Sequence, residues 1–291
     1  MAAGSSTDGW FWSRDGLRLH YRDWPAAAAV PADRPALLCL PGLIRNSRDF
    51  TAFAERLAGQ WRVVAADLRG RGDSAYAKDS LTYVPLTYLL DLRLLIEAAG
   101  LQRFVVIGAS LGSTLAMMLT IGHRAQLAGA ILNDTGPVAE PAGTQRLRAN
   151  VGRSGNWPTW LQAARDLAVH NASVYPGWQV GDWLGLAKQL CRLTPGGRIV
   201  LDHDPRIAEP FRLPGADAGT DLWAAFDGLH GLPVLLLRGQ SSDLLGPATV
   251  AAMQARLPAM TVAEVAGVGH APTLAEPEAT AAIDGFLTGL R

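Results

Sequence analysis

The stretch Phe104-Val105-Val106-Ile107-Gly108-Ala109-Ser110-Leu111-Gly112 constrains this chain more than any other. A run of β-branched and aromatic residues reads as a strand, and residues 113–120 have helical character. Ser110 therefore stands at the apex of an abrupt strand-to-helix turn. A residue held there has strained backbone angles, and its neighbours two positions away must be small; they are Gly108 and Gly112. Such a turn lifts the hydroxyl above the sheet edge and aims the first amides of the helix at whatever the hydroxyl attacks. G-x-S-x-G alone also fits an ordinary glycine-rich turn, so the rest of the chain decides its meaning.

Short apolar runs alternate with helical patterns on both sides of that turn. Residues 10–24 hold two strand-like pieces around Arg14-Asp15-Gly16, a hairpin pattern. Strands are expected at 36–40, 61–66, 104–107, 127–132, 234–237 and 261–265. Helices are expected at 47–58, 84–99, 248–256 and 276–287. This rhythm predicts an α/β fold, a mostly parallel sheet covered by helices on both faces. It breaks at Pro137. From there to about residue 217 no clean strand is legible, the segment is rich in Trp, Gly, Pro and Arg, and it holds four of the nine tryptophans. An insertion of ~80 residues between two βα units reads as a lid, because structureless loops of that length are uncommon. We expect a core of residues 1–136 and 218–291 and a mainly helical cap of residues 137–217.

Composition bounds the function. Lys plus Arg and Asp plus Glu balance at 26 each, so no net field favours nucleic acid or an anionic membrane. The first residues lack a basic segment followed by an apolar one, which predicts no signal peptide. No apolar run reaches the ~18 residues of a membrane span. Cys39 and Cys191 read as buried thiols, and a cytoplasmic location is expected.

A serine hydroxyl needs a general base, and the base needs an orienting acid. Of six histidines, His20, His123, His170, His203 and His230 lie in strand, helix-end, insert or connector settings. His270 lies in Gly267-Val268-Gly269-His270-Ala271-Pro272, directly after the last strand, where an imidazole can reach over the carboxyl ends of a parallel sheet. For the acid, Asp243 follows the strand 234–237 and gives the chain order Ser110, Asp243, His270 expected of such a hydrolase. Asp134 ends an earlier strand on the same edge and competes; chain order favours Asp243. The oxyanion is expected to meet the backbone N–H groups of Leu111, just past the nucleophile, and Leu43, in the loop that Gly42 lets turn back.

Together these stretches resemble the α/β-hydrolase superfamily, in the branch with a helical cap. The marks are Leu40-Pro41-Gly42 with Arg45-Asn46-Ser47-Arg48-Asp49-Phe50, Asp67-Leu68-Arg69-Gly70-Arg71-Gly72-Asp73-Ser74, Gly108-Ala109-Ser110-Leu111-Gly112, Arg238-Gly239 leading to Ser242-Asp243, and Gly269-His270. The resemblance implies a Ser-Asp-His triad and acyl transfer on a small-molecule substrate without metal or organic cofactor, by a monomer or homodimer. Many relatives carry His-Gly where this chain has Pro41-Gly42, so a side chain that often orders the oxyanion site is missing. A serine at the elbow argues against haloalkane dehalogenases and epoxide hydrolases, which place an aspartate there. The expected activity is cleavage of carboxylic ester bonds of small, fairly apolar substrates by way of an acyl-enzyme, with Trp157, Trp160 and Trp183 as pocket residues. Carbon–carbon bond hydrolysis, lactone hydrolysis and removal of N-terminal proline run on the same triad, and a ligand-binding receptor can retain the fold.

Overall fold

Runs such as Ala36-Leu37-Leu38-Cys39-Leu40 carry no polar side chain, so they can form strands only where both faces are covered. The computed structural model, which describes residues 5–213 and 221–290, arranges them in that way. In chain order the strands are β1 (Thr7–Trp12), β2 (Arg18–Trp24), β3 (Ala36–Leu40), β4 (Val63–Asp67), β5 (Phe104–Ala109) and β6 (Leu127–Asn133). They continue with β7 (Asn156–Trp157), β8 (Cys191–Leu193), β9 (Ile199–Leu201), β10 (Val234–Gly239) and β11 (Thr261–Val265). The helices are α1 (Thr51–Arg56), α2 (Pro85–Ala98), α3 (Leu111–Met118), α4 (Thr120–His123) and α5 (Pro141–Val151). After them come α6 (Trp160–Asn171), α7 (Val180–Leu190), α8 (Trp223–Asp227), α9 (Pro247–Arg256) and α10 (Pro277–Thr288).

Eight strands form one sheet in the order β1-β2-β4-β3-β5-β6-β10-β11. The hairpin β1–β2 and the pair β2–β4 are antiparallel, and the remaining pairs are parallel. Successive residues of a strand face opposite sides. Leu38, Leu40, Val64 and Val106 accordingly pack with α2, α3 and α9, whereas Leu37, Cys39, Val63 and Val105 pack with α1 and α10. Met117 is fully buried in the first of these layers. Cys39 and Cys191 are free and buried. Among the described residues no helix is long and apolar enough to cross a membrane.

The order of the strands determines where a ligand can sit. The chain leaves β3 toward β4 on one side and returns to β5 on the other. The loops after β3 and β5 therefore diverge and open a crevice at the carboxyl ends of the sheet. Between β6 and β10 lie the helices α5, α6 and α7. They are joined by a small antiparallel sheet of order β7-β9-β8 that hydrophobic patterning does not reveal. Its strands are two or three residues long, too short for alternation to register. The expected far boundary of the insert, at residue 217, lies outside the described residues.

Below the crevice, Asp67 ends β4 and fixes three segments at once. It accepts from the Ser47 N–H at 2.6 Å and the Asp73 N–H at 3.1 Å, and pairs with Nδ1 of the buried His20 at 2.7 Å. The loop that follows turns through Gly70 and Gly72, both at positive φ, and a Cβ at Gly72 would run into the Asp67 carboxylate.

Candidate active site

Ser110 has φ 54° and ψ −116°, a left-handed conformation that a non-glycine residue rarely adopts. Its surroundings enforce it. A Cβ on Gly108 would strike the Gly112 backbone, and one on Gly112 would strike the Leu40 carbonyl, so helix α3 packs against β5 and β3 only through glycine. The Ser110 N–H donates to the Asn133 carbonyl at 3.1 Å, and the Ser113 hydroxyl donates to the Gly108 carbonyl at 2.7 Å. The turn is pinned from β6 and from its own helix.

The Ser110 hydroxyl lies 2.8 Å from Nε2 of His270. On the other side of the ring, Nδ1 lies 2.9 Å from Oδ2 of Asp134. Nδ1–H donating to that carboxylate leaves Nε2 as the acceptor for the serine proton, the tautomer a general base requires. Asp134 is fully buried, and its second oxygen accepts from the Gly239 N–H at 2.8 Å. Its own N–H donates to the Leu237 carbonyl at 2.8 Å, and its φ of 58° swings the side chain back over the strand ends.

Asp243, the acid favoured by chain order, does not reach His270. Its carboxylate is held by Arg146 of α5 through two parallel bonds, Nε to Oδ2 at 2.6 Å and Nη2 to Oδ1 at 2.7 Å. That hydrogen-bonded guanidinium holds the Asp243 carboxyl below its ordinary pKa. The Asp243 carbonyl also accepts from the Gly143 N–H at 2.9 Å. Asp243 is therefore drawn outward, away from the strand ends and onto α5, while Asp134 turns inward beside β10.

The loop after β3 reaches the serine as expected. A Cβ on Gly42 would lie 3.6 Å from the Ser110 Cβ, so the Gly42 backbone passes directly against Ser110. Leu43, next in sequence, has its carbonyl fixed by Nε of Arg71 at 2.5 Å. Arg71 is fully buried. Its other nitrogens donate to the Arg69 carbonyl at 2.6 Å and the Tyr88 hydroxyl at 3.0 Å.

Ser110 and His270 open onto a cavity of about 820 Å³ walled by the β3 loop, the His270 loop and the helices α5, α6 and α7. Trp157 lines it, as expected, but Trp160 and Trp183 do not. Trp183 is buried behind the wall, edge-on to Trp178 with centroids 4.8 Å apart, and Trp160 packs half-buried against the apolar layer beneath. The residues that patterning missed are Trp178, which lines the cavity and stacks on Tyr175 with centroids 3.8 Å apart, and Tyr175 itself. Burial pushes the Tyr175 hydroxyl up to about 12, so it stays protonated and donates to the Ala271 carbonyl at 2.7 Å. With the Gly269 N–H donating to the Val174 carbonyl at 2.7 Å, this contact braces the His270 loop from the insert.

Comparison with known proteins identifies the family. A family model described as "Alpha/beta hydrolase family" matches residues 37–283. The 3-hydroxybutyrate-oligomer hydrolase of Cupriavidus necator is 34% identical over 279 residues, covering 94% of this chain and 93% of that protein. The 2-(acetamidomethylene)succinate hydrolase of Mesorhizobium japonicum is 25% identical over 246 residues, covering 84% and 85%. Among solved structures, an alpha/beta hydrolase from Novosphingobium aromaticivorans superposes with a TM-score of 0.92 at 47% identity, covering 99% of each chain.

Proposed function

The chain belongs to the α/β-hydrolase family, and on that premise we propose that it is a serine hydrolase of carboxylic esters. The observation that carries this reading is the continuous hydrogen-bonded line Ser110–His270–Asp134 opening onto a cavity of about 820 Å³. In the proposed reaction His270 takes the hydroxyl proton as Ser110 attacks the acyl carbon, and Asp134 stabilises the imidazolium that forms. The N–H groups of Leu43 and Leu111 receive the oxyanion. His270 returns the proton to the leaving alcohol, and water enters to release the acid by the same steps in reverse.

The relative from Cupriavidus necator, matched over nearly its whole length, supports esters of short hydroxy-acid chains as the substrate class. The test is steady-state hydrolysis of 3-hydroxybutyrate dimer and trimer together with short 4-nitrophenyl esters. A fluorophosphonate run in parallel locates the reactive serine by mass spectrometry. Turnover that vanishes in Ser110→Ala, with the label on Ser110, is the expected result. Labelling at another residue, or ester turnover undiminished in Ser110→Ala, would overturn the assignment.

A further inference from the structure

One charged group beside the nucleophile has no part in the triad. Arg45 follows Gly42 in the β3 loop, and its side chain stands in the cavity, 27% exposed. A Cβ on Gly42 would meet Arg45 Cγ at 3.2 Å and Ser110 Cβ at 3.6 Å, so the two side chains flank the same piece of backbone. Asp49 grips the guanidinium from the side, Nε to Oδ2 at 2.5 Å and Nη2 to Oδ1 at 2.8 Å. A guanidinium has five N–H donors in a planar fork, and a side-on carboxylate uses two of them. The parallel pair on the end edge, one N–H from each terminal nitrogen, has no acceptor among the described residues. The Asp49 pair thus fixes the plane of the fork in advance and leaves its end free for a second planar anion.

The other acids lining the cavity are otherwise engaged, Asp166 with Arg153 at 3.5 Å and His170 at 3.8 Å. Asp182 accepts from the Gln179 N–H at 2.8 Å, and Glu276 accepts from the N–H and hydroxyl of Thr273 at 2.8 and 2.9 Å. Arg146 is also gripped side-on, but its aspartate additionally anchors α5, which accounts for that pair as a contact between insert and core. Arg45, by contrast, pairs only with Asp49 in the helical turn that follows its own loop.

We propose that Arg45 receives a carboxylate carried by the substrate, so that the cavity takes esters with an acidic end in preference to neutral ones. This rests on the reading of the site as an ester hydrolase. Arg45 is a specificity residue here: it touches the substrate's far end and leaves bond cleavage to Ser110 and His270.

The test uses butanoate esters of ω-hydroxy acids of increasing length, each paired with its N-methylamide, which is neutral and identical at the scissile bond. At the length that spans from Ser110 to Arg45, the acid should be favoured by about 10- to 100-fold in kcat/KM, mainly through KM. In Arg45→Gln the preference should collapse. The double variant Arg45→Gln/Asp49→Asn should collapse it as well, which excludes simple repulsion by an orphaned Asp49. Arg45→Lys should retain part of it. Equal rates for acid and amide at every length would overturn the assignment, as would a preference that survives in the double variant. Calorimetric binding of the same acids and amides to Ser110→Ala, with and without the Arg45 change, reads the site independently of turnover. Acid binding that requires Arg45 supports the proposal even if no ester is cleaved, and in that case the hydrolase reading alone fails. Neutral esters cleaved at Ser110 with no acid preference would sink only the Arg45 assignment.

Discussion

Two aspartates compete for one imidazole, and they differ in what each carboxylate is already bound to. Asp134 is buried and faces the ring, whereas Asp243 is bound on both oxygens by Arg146. Asp134→Asn keeps the shape but can no longer hold the imidazolium or fix its tautomer, so kcat should fall by about 10⁴. Asp243→Asn should stay within about tenfold of wild type on the smallest ester, because it loosens only the Arg146 contact. Both variants are to be assayed on one ester with folding checked by circular dichroism; the opposite ranking would return the role to Asp243. Ser110 and His270 were legible because glycines flank them in the sequence and the strand pattern places each at a strand end. The acid was not, since Ser-Asp-His order holds for either aspartate. What separates them is a left-handed turn at Asp134 and a guanidinium nearly a hundred residues from Asp243, one a backbone angle and the other a tertiary contact.

At the scale of elements, the proposed reaction asks the β3 loop to offer the Leu43 N–H without a histidine in the Pro41 position. Arg71 supplies rigidity from below by holding the Leu43 carbonyl, and among the described residues it has no carboxylate partner. Its neighbour His203 is pushed down to about 4, by burial first and then by the Arg71 charge, so the imidazole stays neutral beside the guanidinium. Arg71→Met should therefore misplace the loop and lower kcat by about 10- to 100-fold with little change in KM. Arg71→Lys, which can still donate to the carbonyl, should recover part of the loss. Equal damage to kcat and KM in both variants, or a loss of folded protein, would mark Arg71 as a general support of the fold. The core strands and the helices of six or more residues were readable from their apolar patterns, while α4 and α8, four and five residues long, were not. The cavity wall was not. All four tryptophans of the insert look alike in sequence, and only tertiary packing places Trp157 and Trp178 on the cavity and buries Trp183 behind them.

For the molecule as a whole, the His20–Asp67 pair links the hairpin β1–β2 to the strand ends and makes stability depend on pH. Burial works against a charged His20, but the hydrogen bond and charge of Asp67 outweigh it and raise the imidazole pKa. Burial likewise opposes a charged Asp67, and the bonds from His20 and the Ser47 N–H outweigh it and lower the carboxyl pKa. The histidine contribution is complete below the unfolded value of about 6.5 and fades as pH rises through the raised folded value. The aspartate contribution is complete above about 3.9 and fades as pH falls through the lowered folded value. The gap in Tm between wild type and His20→Gln should thus be widest near pH 5 and narrow toward pH 9, as thermal melts across that range would register; a gap independent of pH would refute the linkage. The elbow has a cost of another kind. A serine at φ 54° sits where only glycine rests freely, a strain of about 1–3 kcal/mol that every working copy of the enzyme carries. Ser110→Gly should be inert yet melt about 2 °C above Ser110→Ala, which keeps the strain and is equally dead. On the proposed role of Ser110, selection for thermal robustness alone would drift toward a sturdier, silent protein, and only continued demand for its chemistry would keep a serine there.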